Sequence, residues 1–528
     1  MKSISMISKK RSFFFFVFSA LIIISSVANS NEIEPIITKK KASGVTTPSQ
    51  TSNFSEKILR EKKVEETFLG DISLNGIGLL STERAKFPGD LWSNSSEKVL
   101  SETLNKTPKY SLASTNKIFK RLLLVDAKPP LNSIGVKNMG YLFLLSRIDQ
   151  LIKLGAIDEA EEILNYIKEP SIEIMKRKIE VALLNGRISN ACRLASKYPN
   201  FKGMLQFKII CLVRKNDWQA AALSFMAGSS LKQFDEKEKQ LLLNYLDPDI
   251  ETDYQGNFMI DELSPINFYL MNGKKELVPP EVMPNKYAYA FSQLHMSSPK
   301  MRIKFMEQLA SNYVVNTNTL FYLYRLNVHE DKEKTSKASM AVIELDQAFN
   351  NDSEQKKLLA LKETLKIFYK KNLIAHLSNE YKNELRNLHY SNDKKLINLA
   401  IALLSLTDDI SNELLMSKST SADINCLINI KKKIFINYET DTDLCLLVKN
   451  LNIEVIKKRF PKNKNYDDQM EKGLILLESL NLLENGYLTE FEELKLSLSM
   501  LAEIGLVDLV NEISTELIAL NAIKKMVF

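Results

Sequence analysis

The chain has little of what builds turns, metal sites and cross-links. Its 528 residues hold only 16 Gly and 15 Pro, too few for a fold of many short strands and tight turns, so helices are favoured. The four histidines, His295, His329, His376 and His389, are scattered, and the tightest pair is 13 apart. Two metal ligands on one helix face need a spacing of three or four, so no zinc motif of that kind is present. No Ser stands in a Gly-x-Ser-x-Gly elbow, and no Gly-rich loop carries a phosphate-binding Lys. Gly76-Ile77-Gly78 lacks the strand, the third Gly and the following helix of a dinucleotide site. The acids Asp247, Asp249, Glu251 and Asp253 lack the Gly and the Glu that an EF-hand loop places at its sixth and twelfth positions. The expectation is therefore no catalytic, cofactor-binding or metal site.

Charge of one sign is also scarce. The formal net charge is +7, and without Lys2, Lys9, Lys10 and Arg11 it is +3, from 67 basic and 64 acidic residues. Such a balance is not a nucleic-acid footprint. Apolar content of 45% and charged content of 26% fit an ordinary globular protein.

The N-terminal stretch is the sharpest signal of location. Residues 1–11 are basic and free of acids, 12–27 are apolar, and small residues follow in Ser26-Val27-Ala28-Asn29-Ser30. That order is the one a secretory signal peptide uses, with cleavage after Ala28 or Ser30. The alternative is an uncleaved inner-membrane anchor, although an apolar run of 16 is short for a span. No later stretch reaches 18 uninterrupted apolar residues. Residues 31–66 are polar, with Lys39-Lys40-Lys41 leading into a Thr/Ser/Pro run, and read as a tether capable of weak membrane-surface contact.

Three segments further on share one pattern. They run Gly155, Ile157, Ala160, Leu164; then Gly186, Ile188, Ala191, Ala195; then Asn216, Trp218, Ala221, Phe225. In each, a turn residue is followed at +2 by a large apolar anchor, at +5 by Ala and at +9 by an apolar residue or Ala. The starts are 31 and 30 residues apart, a period that marks stacked helical hairpins. Gly or Asn ends one helix in the left-handed conformation, the +2 residue anchors the next helix, and Ala lets two helices approach.

These offsets resemble the second half of a tetratricopeptide repeat over roughly 90 residues. The repeat is shorter than the family's 34, and the Trp–Leu–Gly first helix is missing. The resemblance implies an all-α fold of antiparallel helix pairs stacked as a solenoid, becoming irregular in the C-terminal half. The expected map is a signal peptide (1–30), a tether (31–66), an irregular N-terminal cap (67–112), a tetratricopeptide-like array (113–246), a Pro-containing linker or insert (247–285) and a second helical array (286–528). Helical periodicity runs over 136–154, 172–184, 218–226, 354–370 and 506–526, among others.

The cysteines are four, Cys192, Cys211, Cys426 and Cys445, each pair 19 apart. An even count in an exported chain points to disulfides. Cys192 and Cys211 are about equidistant from the loop at 198–203, so an antiparallel hairpin sets them side by side. The turn between Cys426 and Cys445 lies nearer the second member. Four free thiols are the alternative.

The functional expectation is a periplasmic, bacterial, non-enzymatic scaffold that binds a protein or peptide partner in the cell envelope. Binding would use a helical-repeat surface, with the face sought on the inner helices between Met139 and Phe225. The alternatives are a cell-wall enzyme of the lytic-transglycosylase kind and a structural envelope protein.

Overall fold

The computed structural model describes residues 73–131, 141–168, 170–197, 204–247, 263–272, 283–293, 298–327, 335–351, 353–407, 410, 421–435, 442–456 and 470–528. All of them belong to one compact unit, Thr67–Phe528; the other unit is Met1–Glu66. The expected signal segment with Ala28 and Ser30, the tether, the 198–203 loop and most of the 247–285 insert lie outside the described residues.

The described chain is all-α apart from a two-residue parallel strand pair, β1 (Leu80–Ser81) and β2 (Val125–Asp126). The helices of the N-terminal half are α1 (Thr82–Ala85), α2 (Glu97–Asn105), α3 (Ala113–Leu124), α4 (Leu142–Leu154), α5 (Ile157–Asn165), α6 (Ile172–Leu184), α7 (Ile188–Ser196), α8 (Leu205–Arg214), α9 (Trp218–Ser230), α10 (Glu236–Leu246) and α11 (Pro265–Asn272). The remainder are α12 (Asn285–Gln293), α13 (Pro299–Ser311), α14 (Thr317–Leu326), α15 (Lys337–Asn351), α16 (Glu354–Lys370), α17 (Ile374–Glu380), α18 (Lys382–Asn387), α19 (Lys394–Ser405), α20 (Ala422–Lys431), α21 (Asp443–Ile456), α22 (Lys472–Leu482), α23 (Phe491–Glu503) and α24 (Val507–Val527). The stretch expected as an irregular cap carries α1 and α2.

Short polar side chains start many of these helices. Ser96, Ser171, Asp217, Asp235, Ser298, Asn316 and Asp393 each accept a first-turn backbone N–H, which satisfies a donor that has no intrahelical partner. The ends are as regular. Gly155, Gly186, Asn216 and Gly505 all have positive φ, between 62° and 83°. After each, the next N–H reaches the carbonyl five residues back: Ala156 to Leu151, Arg187 to Ala182, Asp217 to Leu212 and Leu506 to Leu501. This is a Schellman end. The same bond follows Lys232, Tyr313, Asn372 and Lys433, which also have positive φ without being glycine. Hairpin turns therefore continue well past the three that the residue types announce.

Two hydrophobic bodies result. A small one, from Met175 to Leu270, is built by α6 to α11. The larger takes in nearly everything else, and α24 lies within it. That helix is buried through most of its length, with Leu509, Val510, Ile513, Ala519 and Ile523 in the core, and its polar residues Glu512 and Glu516 are engaged by partners from α3. It packs against α3, α16, α19, α20, α21 and α23.

Segments at opposite ends of this unit interlock. The carboxylate of Glu516 on α24 accepts the N–H groups of Ala113 and Ser114 at 2.8 and 2.6 Å, so an anion sits at the positive end of α3. Gly473 on α22 fits against the Trp92 ring, its N–H donating to Leu91 O at 2.9 Å. Lys472 pairs with Asp90 at 2.9 Å, and Arg121 with Glu512 at 2.9 Å. Nearby, Arg147 of α4 is wholly buried and spends all five guanidinium N–H groups on backbone carbonyls of Asn75, Ile77, Leu123 and Val125. Burial pushes its pKa down to about 10, against the opposing pull of Asp126. Gly76 and Gly78 lie against the main chain at Ala127 and Val125 and serve close backbone approach.

Candidate interaction surface

The repeated pattern has a consistent geometry. Ile157, Ala160, Ile188, Ala191 and Ala221 are buried, and each sits on the second helix of a hairpin, α5, α7 or α9. Cys192 on α7 and Cys211 on α8 are bonded, with Cα atoms 5.5 Å apart. Cys426 on α20 and Cys445 on α21 are also bonded, at 6.1 Å. The first bond ties consecutive hairpins together beside the small core; the second lies within the large one.

Trp218, the third anchor of the pattern, behaves differently. It is 47% exposed, because among the described residues α9 has only α8 and α10 as its principal neighbours. Ala221 and Gly228 face inward; a Cβ on Gly228 would lie 2.5 Å from the Phe234 ring. At 100° per residue, the opposite face is Gln219, Ala222, Leu223, Met226, Ala227 and Ser230. Leu223 and Met226 are 68% and 64% exposed, and Leu231 just beyond is 68% exposed. From Trp218 to Leu231 there is no charged residue at all. The result is an uncharged stripe about 20 Å long, apolar between Gln219 and Ser230 at its ends, and exposed apolar surface of this kind marks an interaction site.

The inner helices do not offer an equivalent face. α11 and α12 pack on α6, and α12 also on α4. Tyr289 of α12 donates to Asn185 at 2.7 Å, and Lys286 lies among Glu180 and Asp149. Burial raises the Glu180 pKa and lowers that of Lys286. Arg177 forks onto Asp149 at 2.9 and 2.8 Å, which raises its pKa. The chain's own helices thus cover much of the ground where a partner's face was sought on α4 and α6.

Other buried polar groups are engaged in holding the fold. His376 sits between the Oγ1 of Thr317 and Ala310 O, at 2.9 and 2.8 Å. These partners suit a neutral ring with the proton on Nε2, and burial lowers its pKa. Glu307 is held by Tyr324 and Lys371. Among the described residues no group of three or more His, Cys, Asp or Glu could hold a metal ion, and no helix is long and apolar enough to cross a membrane.

The stripe on α9 was not read from the sequence as a surface. An uncharged, mostly apolar helix ordinarily signals burial, and Trp218 stands where a packing anchor belongs. What exposes it is the tertiary arrangement, which among the described residues places no major neighbour on its outer side. No protein-family model, no curated protein and no solved structure matches the chain.

Proposed function

We propose that the chain is an exported, non-enzymatic scaffold of tetratricopeptide-like helix pairs, and that it binds a protein or peptide partner in the cell envelope through the outer face of α9. One observation carries the reading: Leu223, Met226 and Leu231 stand mostly exposed on a helix without charge. Solvating so much apolar surface costs free energy that a partner would recover. Two disulfides favour an oxidising compartment such as the periplasm, in keeping with the signal-like N-terminus. The registry of Schellman turns supports stacked hairpins, and stacked hairpins present extended surfaces.

Affinity capture from the envelope of the source cell tests this. The tagged full-length chain should retain a defined protein that a Leu223→Gln, Met226→Gln variant loses, with thermal melting unchanged. N-terminal sequencing of the exported chain should begin at Asn29 or Asn31. Turnover of purified cell-wall glycan by the pure protein would replace the scaffold reading with an enzymatic one.

A further inference from the structure

We infer that the α9 stripe accepts an amphipathic helix whose apolar side is flanked by acidic residues; this rests on the docking role proposed above. The argument is one of charge. Residues 172–246 hold 13 basic and 6 acidic side chains, a net +7 that equals the formal charge of the whole chain. Everything outside that window therefore balances, at 58 basic and 58 acidic. Arg177 and Arg187 of that window are neutralised from outside it by Asp149 and Glu161, and the rest of the excess lies along the stretch from α6 to α10, the helices around the stripe.

Its placement is informative. Arg214 and Lys215 precede the stripe and Lys232 follows it, with Lys208 on the adjoining α8, and all four are exposed. None of the four makes an ion pair among the described residues. The local acids, by contrast, are already engaged. Asp217 caps Ala220 at 3.2 Å, Asp235 and Glu238 form a reciprocal capping box, and Glu236 pairs with Lys239 at 2.5 Å. The surface thus offers cations without partners at both ends of an uncharged apolar run.

The stripe fits a helix in shape as well. Gln219, Leu223, Met226 and Ser230 recur at the i, i+4, i+7 spacing by which one helix reads another. Ala222 and Ala227 lie between them and allow a close approach. A partner helix of about 14 residues would span it, and carboxylates at its ends would meet Arg214, Lys215 and Lys232.

Two synthetic helical peptides with one apolar stripe, flanked by Glu in one and Lys in the other, provide the test, together with vesicles of anionic phospholipid. Fluorescence of Trp218 reports binding on the full-length chain, because the other tryptophan, Trp92, is only 1% exposed. The Glu peptide should shift Trp218 to the blue and bind at least about tenfold tighter than the Lys peptide, the gap closing as salt is raised. The Leu223→Gln, Met226→Gln variant should lose that response and melt as the parent does. Equal binding of both peptides would overturn the acidic partner and leave the docking face standing. A response to vesicles alone would put a membrane in the partner's place and overturn the inference. Silence toward all three probes would overturn the inference, and the docking face would then rest on the capture experiment. Undiminished binding by the double variant would move the site elsewhere and defeat both readings.

Discussion

Reduction under native conditions should separate the two disulfides by orders of magnitude in rate, although both close rings of the same length. In the chain-entropy account a ring of 19 residues is worth about 3 kcal/mol, so entropy alone gives no preference. Access does. Cys192 is only partly buried at the edge of the small core, and Cys211 is 9% exposed. Cys426 and Cys445 lie on α20 and α21, which pack on α24 and bury Ile424, Leu427, Ile428, Val448 and Leu451. Freeing five such side chains costs on the order of 10 kcal/mol, so a thiol reagent must wait for a rare opening. A short pulse of reductant followed by alkylation and peptide mass mapping should label Cys192 and Cys211 and spare Cys426 and Cys445. Replacing Cys192 and Cys211 together by Ala should lower stability to urea by about 3 kcal/mol. Equal labelling of the two pairs would refute the argument from packing, and an unchanged urea midpoint would refute the entropic one.

Gly186→Ala should cost only about 1 kcal/mol in urea unfolding, since its φ is +68° with open space around the new Cβ. Gly155→Ala should cost more, because that Cβ would stand 2.7 Å from Leu309 Cδ2 and 2.9 Å from Asn285 O; equal losses would count against the close fit of α12 and α13 at this turn. Gly473→Ala places a Cβ 2.5 Å from Trp92 Cε3, and a loss of about 2 kcal/mol with a red shift of Trp92 emission, read without Trp218, would report a loosened joint. His376 is held neutral, its pKa lowered from 6.5 by burial. The unfolded chain therefore binds the extra proton, and stability should fall as pH drops through 6.5, with full stability above it. His376→Gln should flatten that slope in denaturation series across pH; an unaltered slope would place the titration elsewhere.

The pattern in the sequence identified the fold class and the first three hairpins because Gly and Asn announce a left-handed turn by their type. Lys232, Tyr313 and Lys433 adopt the same conformation at a steric cost that context covers, and no residue-type rule finds them. Asn372 fits the turn type and is followed by Ile374, Leu377 and Tyr381, the same offsets as in the first array with Leu in place of Ala at +5, and all three are buried; a search tolerant of the +5 residue reaches it. The cysteine pairing was readable because a hairpin fixes which residues face one another. The helix α2 lies in the stretch expected to be irregular because its apolar positions, Val99, Leu100 and Leu104, are few. The α9 surface was hidden for a different reason: exposure is a property of neighbours, and one helix's composition cannot report which neighbours are missing.

The joint between α3 and α24 has a consequence for the order of assembly. Ala113 and Glu516 are 403 residues apart, and synthesis at about 5–20 residues per second separates them by roughly 20–80 s. Through that interval Glu516 is absent from the N-terminus of α3 and α24 is absent from among its packing partners. The N-terminal segment therefore cannot reach its final packing until α24 has emerged, and a helix made late completes one made early. Any route by which this protein crosses a membrane as an unfolded chain would find its long-range contacts still unformed, and α24 would act as the latch that closes them on arrival.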